Sequence, residues 1–200
     1  MRELTVLTFQ SLDGVMQAPM QPEEDVSGGF GQGGWASPYF EEVMGLVDEY
    51  AMNRDYDMLL GRKTYESFAQ FWTSPQAAGP YADKFTKARK YVATNSLTDS
   101  KWNNSVYLKG SIPQEISRLK GESGPLLQVH GSWQLIQSLL PHDLVDEFRI
   151  WTFPVVVGKG KRLFGEQAVP AQLELKKQKV TKNGVIMSIY RRPDTNPAAG

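Results

Sequence analysis

The sequence predicts an α/β domain with a largely parallel central sheet and an antiparallel hairpin at its C-terminal edge. Three observations support this. Short apolar runs alternate with segments of helical period from Leu4 to Leu140. The chain then turns β-rich from Leu144. It closes on two β-favouring runs joined through Asn183-Gly184, a strong two-residue hairpin signal.

Residues 4–11, LTVLTFQS, alternate and are rich in β-formers, so they read as a strand. A glycine-rich stretch, DVSGGFGQGGWASP, follows. It holds Phe30 and Trp35 between two strong elements, which suits a site loop, ordered or partly mobile, better than a linker. Ser37-Pro38 has the form of an N-cap with proline in the first helical position. Phe40, Val43, Met44, Val47 and Ala51 then recur at helical spacing, with Glu41 and Glu42 in the first turn, where the helix dipole favours negative charge. YDMLLG (56–61) is a short buried strand, and RKTYESFAQFW after it is a helix ended near Ser74-Pro75. YADKFTKA reads as a helix, KYVATN and SVYLKG as strands, and IPQEISRLKG as a helix closed by glycine. GPLLQVHG is strand then turn, and SWQLIQSLLP is helix. LVDEFRIWTFPVVVG is β-rich, with the buried strand running on through the valines after Phe153. The last element, LELKKQKVTKNGVIMSIYRR, is the hairpin. One domain spans 1–192, and the polar end 193–200 is a flexible tail with nothing to pack.

The 200 residues suit one domain with a real core. Twenty-two basic and 22 acidic side chains cancel, which argues against a nucleic-acid partner. The absence of cysteine removes disulfides, thiol catalysis, zinc-thiolate sites and iron–sulfur clusters, and fits a reducing cytoplasm. No secretory signal pattern and no membrane-length apolar run is visible. A small-molecule substrate is the partner this leaves, with no metal site.

Several strand ends carry phosphate-friendly groups. Gly61, Arg62, Lys63 and Thr64 stand where a strand enters a helix, whose N-terminus offers free N–H groups and a positive dipole end. Gly131 and Ser132 repeat that arrangement before a second helix. Gly158, Gly160 and Lys161 form a glycine-cation loop after Phe153, and Asn95 and Ser96 end another strand. None of these matches the dinucleotide fingerprint or the P-loop. Ligands of open α/β sheets lie at the carboxyl ends of parallel strands, so a nucleotide could span two or three of these turns. Asp13 and Glu41 are the candidate acid–base groups, and His130 at a strand end reads as structural. Glu41 is equally explained as a solvated first-turn charge.

SLDG after the first strand, GGW…PYF before the first helix, LLGRKTYE, HGSWQLIQSLL and VDEFRIWTFPVVVGKGKRLF occur in this order. Together they resemble the dihydrofolate reductase-like superfamily, and most closely the branch of the reductase domain of the riboflavin-biosynthesis enzyme. The resemblance covers residues 1–192. It implies a mixed sheet flanked by helices and NADPH as hydride donor. Gly61, Arg62, Lys63 and Thr64 would then hold cofactor phosphates, with Asn95 and Ser96 near the adenosine ribose and its 2′-phosphate. Gly131, Ser132 and Gln134 would receive the pyrophosphate. The loop from Gly158 through Gly160 to Lys161 would lie near the nicotinamide or the substrate.

The resulting expectation is an NADPH-dependent reductase of a pterin-like or aminopyrimidine-like heterocycle, preferring NADPH to NADH. Two other readings stay open: a nucleotide-binding protein without catalysis, and a flavin-dependent enzyme. Phe148, Ile150, Trp151 and Phe153 give one strand two apolar faces, which suits either a central strand of the monomer or a dimer contact, and the resemblance tips the expectation to a homodimer through the C-terminal β-rich region. Five glycines among residues 26–35, with Phe30 and Trp35, predict a lid that orders over bound ligand.

Overall fold

The computed structural model describes residues 1–77, 79–99, 102–166 and 168–193, so the expected tail lies, but for Pro193, outside the described residues. Eight strands form one sheet: β1 Leu4–Ser11, β2 Tyr56–Gly61, β3 Lys90–Ala93, β4 Ser105–Leu108, β5 Leu126–His130, β6 Glu147–Phe153, β7 Glu174–Val180 and β8 Ile186–Arg191. The helices are α1 Phe40–Val47, α2 Arg62–Trp72, α3 Pro80–Lys87, α4 Ile112–Gly121 and α5 Trp133–Leu139. Across the sheet the order is β4-β3-β2-β5-β1-β6-β8-β7. Every pairing from β4 to β6 is parallel, and β8 runs antiparallel to both β6 and β7. This is the predicted class, a mostly parallel mixed sheet with an antiparallel C-terminal hairpin. No helix among the described residues is long and apolar enough to cross a membrane.

β1, β2 and α2 have the bounds read from the sequence. The strand after Leu144 does not run on through the valines. It stops at Phe153 because Pro154 has no N–H for the ladder, and Val156 beyond it is 72% exposed. Ser37-Pro38 opens a 3₁₀ turn ahead of α1, and the Ser37 hydroxyl donates to the Met20 carbonyl instead of capping the helix.

Helices cover both faces of the sheet. On one face Ile116 and Leu119 of α4 and Leu135, Ile136 and Leu139 of α5 pack on Leu4, Val6, Leu127, Val129, Phe148 and Ile150. On the other, Val43 and Val47 of α1 pack on Leu7, Trp151 and Phe153. Beside them Tyr65 and Ala69 of α2 and Phe85 of α3 pack on Tyr56, Met58, Leu60 and Val92. β6 is thus an interior strand whose two apolar faces are covered within the chain. The sequence argument for a dimer through it fails for that reason.

Between the two clusters of the second face runs a buried polar strip. Gln128, Thr5 and Glu147 align on one rung, and His130, Leu7 and Arg149 on the next. Arg149 Nε donates to Glu147 at 2.6 Å, and its Nη1 donates to the Tyr50 carbonyl. Gln128 Nε2 donates to the Ala51 carbonyl at 3.3 Å. Both carbonyls belong to a π turn, Asp48–Met52, in which the expected helix to Ala51 widens at its end. The two side chains satisfy backbone groups there that would otherwise be buried without partners. His130 sits among the rings of Tyr56, Phe68 and Phe85, with centroids 5.6, 6.1 and 5.7 Å away. Burial pushes it down to about pKa 3, so it is neutral at pH 7 and structural.

Two outcomes follow. Arg149→Met leaves the buried Glu147 paired, among the described residues, only with the Arg191 guanidinium, 3.8 Å away, so it should lower unfolding stability by about 3 kcal/mol in urea titrations. Below its ordinary value near 6.5, His130 takes a proton in the unfolded chain but not in the native one. Native stability therefore falls by about 1.4 kcal/mol per pH unit from this residue alone, until about pH 3. His130→Phe removes that slope, so the stability gap between parent and variant should shift by about 3 kcal/mol in the variant's favour from pH 7 to pH 4.

Candidate functional site

Because β1 to β6 run parallel, their carboxyl ends reach one edge of the sheet. That edge gathers the loops after Ser11, Ala93, His130 and Phe153 and the start of α2. α2 leaves β2 over one face and α5 leaves β5 over the other, so the chain reverses its winding between these neighbouring strands. Such a switch point is where open α/β sheets hold ligands.

The two helix starts are joined there. The Gly61 N–H donates to Ser132 Oγ at 2.8 Å, and Ser132 Oγ donates to Thr64 Oγ1 at 2.8 Å. A Cβ on Gly61 would stand 3.3 Å from Ser132 Cβ, so glycine permits this approach. Gly131 (φ 59°) and Ser132 (φ 66°) are consecutive left-handed residues. For Ser132 this is a strained conformation, costing of order 1 kcal/mol, which its two hydrogen bonds hold in place. Neither α2 nor α5 has a side-chain N-cap, so their first-turn N–H groups are open to a ligand. Lys63 and Gln134 are exposed beside them, and Arg62 pairs with Glu66 at 2.8 Å on the surface. An exposed pair of this kind contributes little, so Arg62 can exchange partners.

At the end of β3, Thr94 Oγ1 accepts the N–H groups of Ser96 and Leu97, both at 3.2 Å. This turns Asn95 and Ser96 outward. Asn95 Oδ1 accepts the Gly110 N–H at 3.4 Å and so ties the ends of β3 and β4 together.

The glycine-cation loop is knitted to the loop after β1. Asp13 accepts the Ser11 hydroxyl at 2.6 Å and the N–H groups of Val157 and Gly158 at 3.0 and 2.9 Å. Arg162 lies 3.6 Å from it. The Ser11 hydroxyl, then those two N–H groups, hold its carboxyl down to about pKa 2. Asp13 is therefore an ionised anchor and holds no proton to give, a correction to its expected role as an acid. Lys161 is likewise spent inside the fold, on Asp25 and on the Ser27 hydroxyl at 2.8 Å. Gly160 is needed for packing, since a Cβ there would meet Val15 at 2.6 Å and Phe30 at 3.0 Å. Only Gly158 faces open space.

Phe30 and Trp35 are buried with Val15, Ala36 and Phe153, and Trp35 Nε1 donates to the Gln17 carbonyl at 2.9 Å. They fasten the glycine-rich stretch down, where a lid had been expected. Gln17 completes the lock: its Nε2 donates to the carbonyls of Asp25 and Ser27, both at 3.0 Å, and its Oε1 accepts the Lys161 N–H at 3.1 Å. No sequence signal marked Gln17 or Asp25. Glu41 is exposed in the first turn of α1 and forms no hydrogen bond among the described residues, while Glu42 accepts the Asn183 N–H at 3.2 Å. The arrangement thus brings together Gly61, Thr64, Gly131 and Ser132, and no hydrogen bond among the described residues ties Glu41 to them. No group of three or more His, Asp or Glu side chains placed to hold a metal occurs among the described residues.

Related sequences and a similar architecture occur elsewhere. Protein YyaP of Bacillus subtilis (strain 168), uncharacterized, is 28% identical over 152 residues, 74% of this chain and 78% of its own. Uncharacterized protein YwjB of the same organism is 31% identical over 119 residues, 60% of this chain and 64% of its own. A putative riboflavin biosynthesis protein from Shewanella sp. PV-4 superposes with a TM-score of 0.68 at 22% identity, covering 96% of this chain and 99% of that one. A pyrimidine reductase-like protein from Corynebacterium diphtheriae NCTC does so with a TM-score of 0.55 at 13% identity, covering 95% and 91%. At those identities the likeness is one of fold. The sequence profile of the RibD C-terminal domain matches residues 2–187, nearly all of the chain. The resemblance read from the five ordered motifs is therefore borne out, and the chain belongs to the RibD C-terminal domain family.

Proposed function

We propose that the protein is an NADPH-dependent reductase of a small heterocyclic substrate, aminopyrimidine-like or pterin-like. One observation carries this reading: two uncapped helix starts, α2 and α5, joined through Ser132 at the switch point between β2 and β5. Membership of a reductase-like family and the fold shared with a pyrimidine reductase-like protein support it.

The residues present fit a dinucleotide. Gly61 leaves room that a Cβ would fill, and the donors around it are backbone N–H groups, hydroxyls and cations, the set that binds phosphate. Gly61, Thr64, Gly131, Ser132 and Gln134 would hold the pyrophosphate. Arg62, Lys63, Asn95 and Ser96 would take the adenosine side and its 2′-phosphate. When bound, NADPH supplies the hydride. Gly158 leaves one open stretch in a loop otherwise fixed by Asp13 and Lys161, which keeps that side of the edge rigid. The heteroatom reduced must gain a proton, and neither Asp13 nor His130 holds one at pH 7. Glu41 or water delivers it.

That neither Asp13 nor His130 holds a proton at pH 7 also favours a second reading, binding without turnover. Consumption of NADPH over a panel of aminopyrimidines and pterins, beside direct NADPH titration, separates the two. Binding with no turnover on any member favours the second.

Titration of both cofactors should give NADPH an advantage of roughly ten- to a thousandfold over NADH, from one or two charge-assisted hydrogen bonds to the 2′-phosphate. Arg62→Ser with Lys63→Ser should shrink it, and equal affinities in the parent would remove the claim. Asp13→Asn should leave NADPH affinity within about twofold and lower stability by about 1 kcal/mol at pH 7, after allowance for solvent screening. The stability this carboxylate contributes is present above its ordinary value near 3.8 and is lost as pH falls through its native value near 2. The gap between parent and variant should therefore close between about pH 4 and pH 2. Lost turnover at unchanged stability would return Asp13 to the chemistry.

A further inference from the structure

Two grooves lie at the opposite edge, where the parallel strands begin. The larger, about 960 Å³, is lined by equal numbers of cations and carboxylates. The other, about 700 Å³, is unbalanced: Arg54, Arg149, Lys176, Lys177, Arg191 and Arg192 face only Glu3, Glu49 and Glu147. Lys176 and Arg192 pair with Glu174 and Asp143, and Arg191 pairs with Glu3, so the uncommitted charge of the groove lies on Arg54 and Lys177, with Glu49 beside them.

The charges are not all neutralised by neighbours. The Arg149 side chain is only 4% exposed. It spends Nε on Glu147 and Nη1 on the Tyr50 carbonyl, while Nη2 makes no hydrogen bond among the described residues. The Tyr50 hydroxyl, in the same lining, is buried without a partner. Lys177 is delivered by a shift of register between Leu175 and Lys177 in the β7–β8 ladder, an irregularity of the kind that re-aims side chains. Its ammonium stands 4.7 Å over the Tyr50 ring and pairs with no carboxylate among the described residues. Arg54 forms no ion pair among them either. A buried guanidinium with free donors, flanked by unpaired cations, is the chemistry that recognises closely spaced phosphate oxygens.

We propose that this groove binds a small polyanion of the pyrophosphate class, with Arg149 at its floor and Lys177 and Arg54 at its rim. It is separate from the candidate cofactor site by the length of β6, about 20 Å at the rise of a parallel strand, and does not rest on the reductase reading.

The test is calorimetric titration of the full chain, at fixed ionic strength, with inorganic pyrophosphate and with ADP. Three proteins are compared: the parent, Arg62→Ser/Lys63→Ser, and Arg54→Ser/Lys177→Ser, all four positions being exposed. The result expected is saturable binding that survives in Arg62→Ser/Lys63→Ser and weakens at least tenfold in Arg54→Ser/Lys177→Ser. For the binding component lost in Arg54→Ser/Lys177→Ser, a higher affinity for ADP than for pyrophosphate would identify the source as a nucleotide, and the reverse as the inorganic anion. The proposal is overturned if Arg54→Ser/Lys177→Ser binds as the parent does. It is equally overturned if Arg62→Ser/Lys63→Ser abolishes binding, or if neither ligand saturates by about 10 mM.

Discussion

Parallel pairing on both sides of β1 is the constraint from which the rest of the architecture follows. Leu4 to Leu7 align with Leu127 to His130 on one side, and Thr5 to Ser11 align with Glu147 to Phe153 on the other. Strands that run in one direction deliver all their carboxyl ends to one edge. With β5 seated between β2 and β1, the helices that follow β2 and β5 must diverge. The opening between α2 and α5 is a product of that order, and Ser132 only fixes its width. The same order sends the amino ends of the strands to the far edge, where the two grooves lie.

A sheet covered on both faces calls for apolar strands, and the polar strip from Gln128 to Arg149 is the exception. It is matched to a second exception. The π turn at the end of α1 leaves carbonyls of Tyr50 and Ala51 directed at the sheet, and Arg149 and Gln128 answer them. Each irregularity would be costly alone, because an unpartnered buried polar group loses its hydration without return. Together they fix α1 along its length against one position of the sheet.

Much of the fold was legible because its signals are local. The run YDMLLG-RKTYESFAQFW carries both a buried strand and an amphipathic helix, and Asn183-Gly184 specifies its turn. The gathering of Gly61, Thr64, Gly131 and Ser132 at one edge followed from reading the sheet as parallel. What stayed hidden is long-range. Asp13 looks like a free carboxylate until Val157 and Gly158, far off in sequence, are brought to it by the pairing of β6 with β1. Phe30 and Trp35 look like a mobile cover until Val15 and Phe153 are seen to bury them. Lys90, fully buried, gives no hint in KYVATN that its ammonium serves the carbonyls of Thr86 and Asn103, each at 2.9 Å. Val157, Gly158, Val15, Phe153 and Asn103 each lie outside the window of sequence that periodicity addresses around the residue they fix.

The position of β1 also bears on how the chain is made. Of the eight strands it is the first in chain order, yet its sheet partners are β5 and β6. β2, β3 and β4 can associate with one another while synthesis continues, but LTVLTFQS has no native sheet partner until residues 126–153 have emerged. At roughly 5–20 residues per second this is a wait of several seconds for an apolar strand with both edges bare. The strand that waits longest for its sheet partners therefore lies at the centre of the sheet and not at its margins.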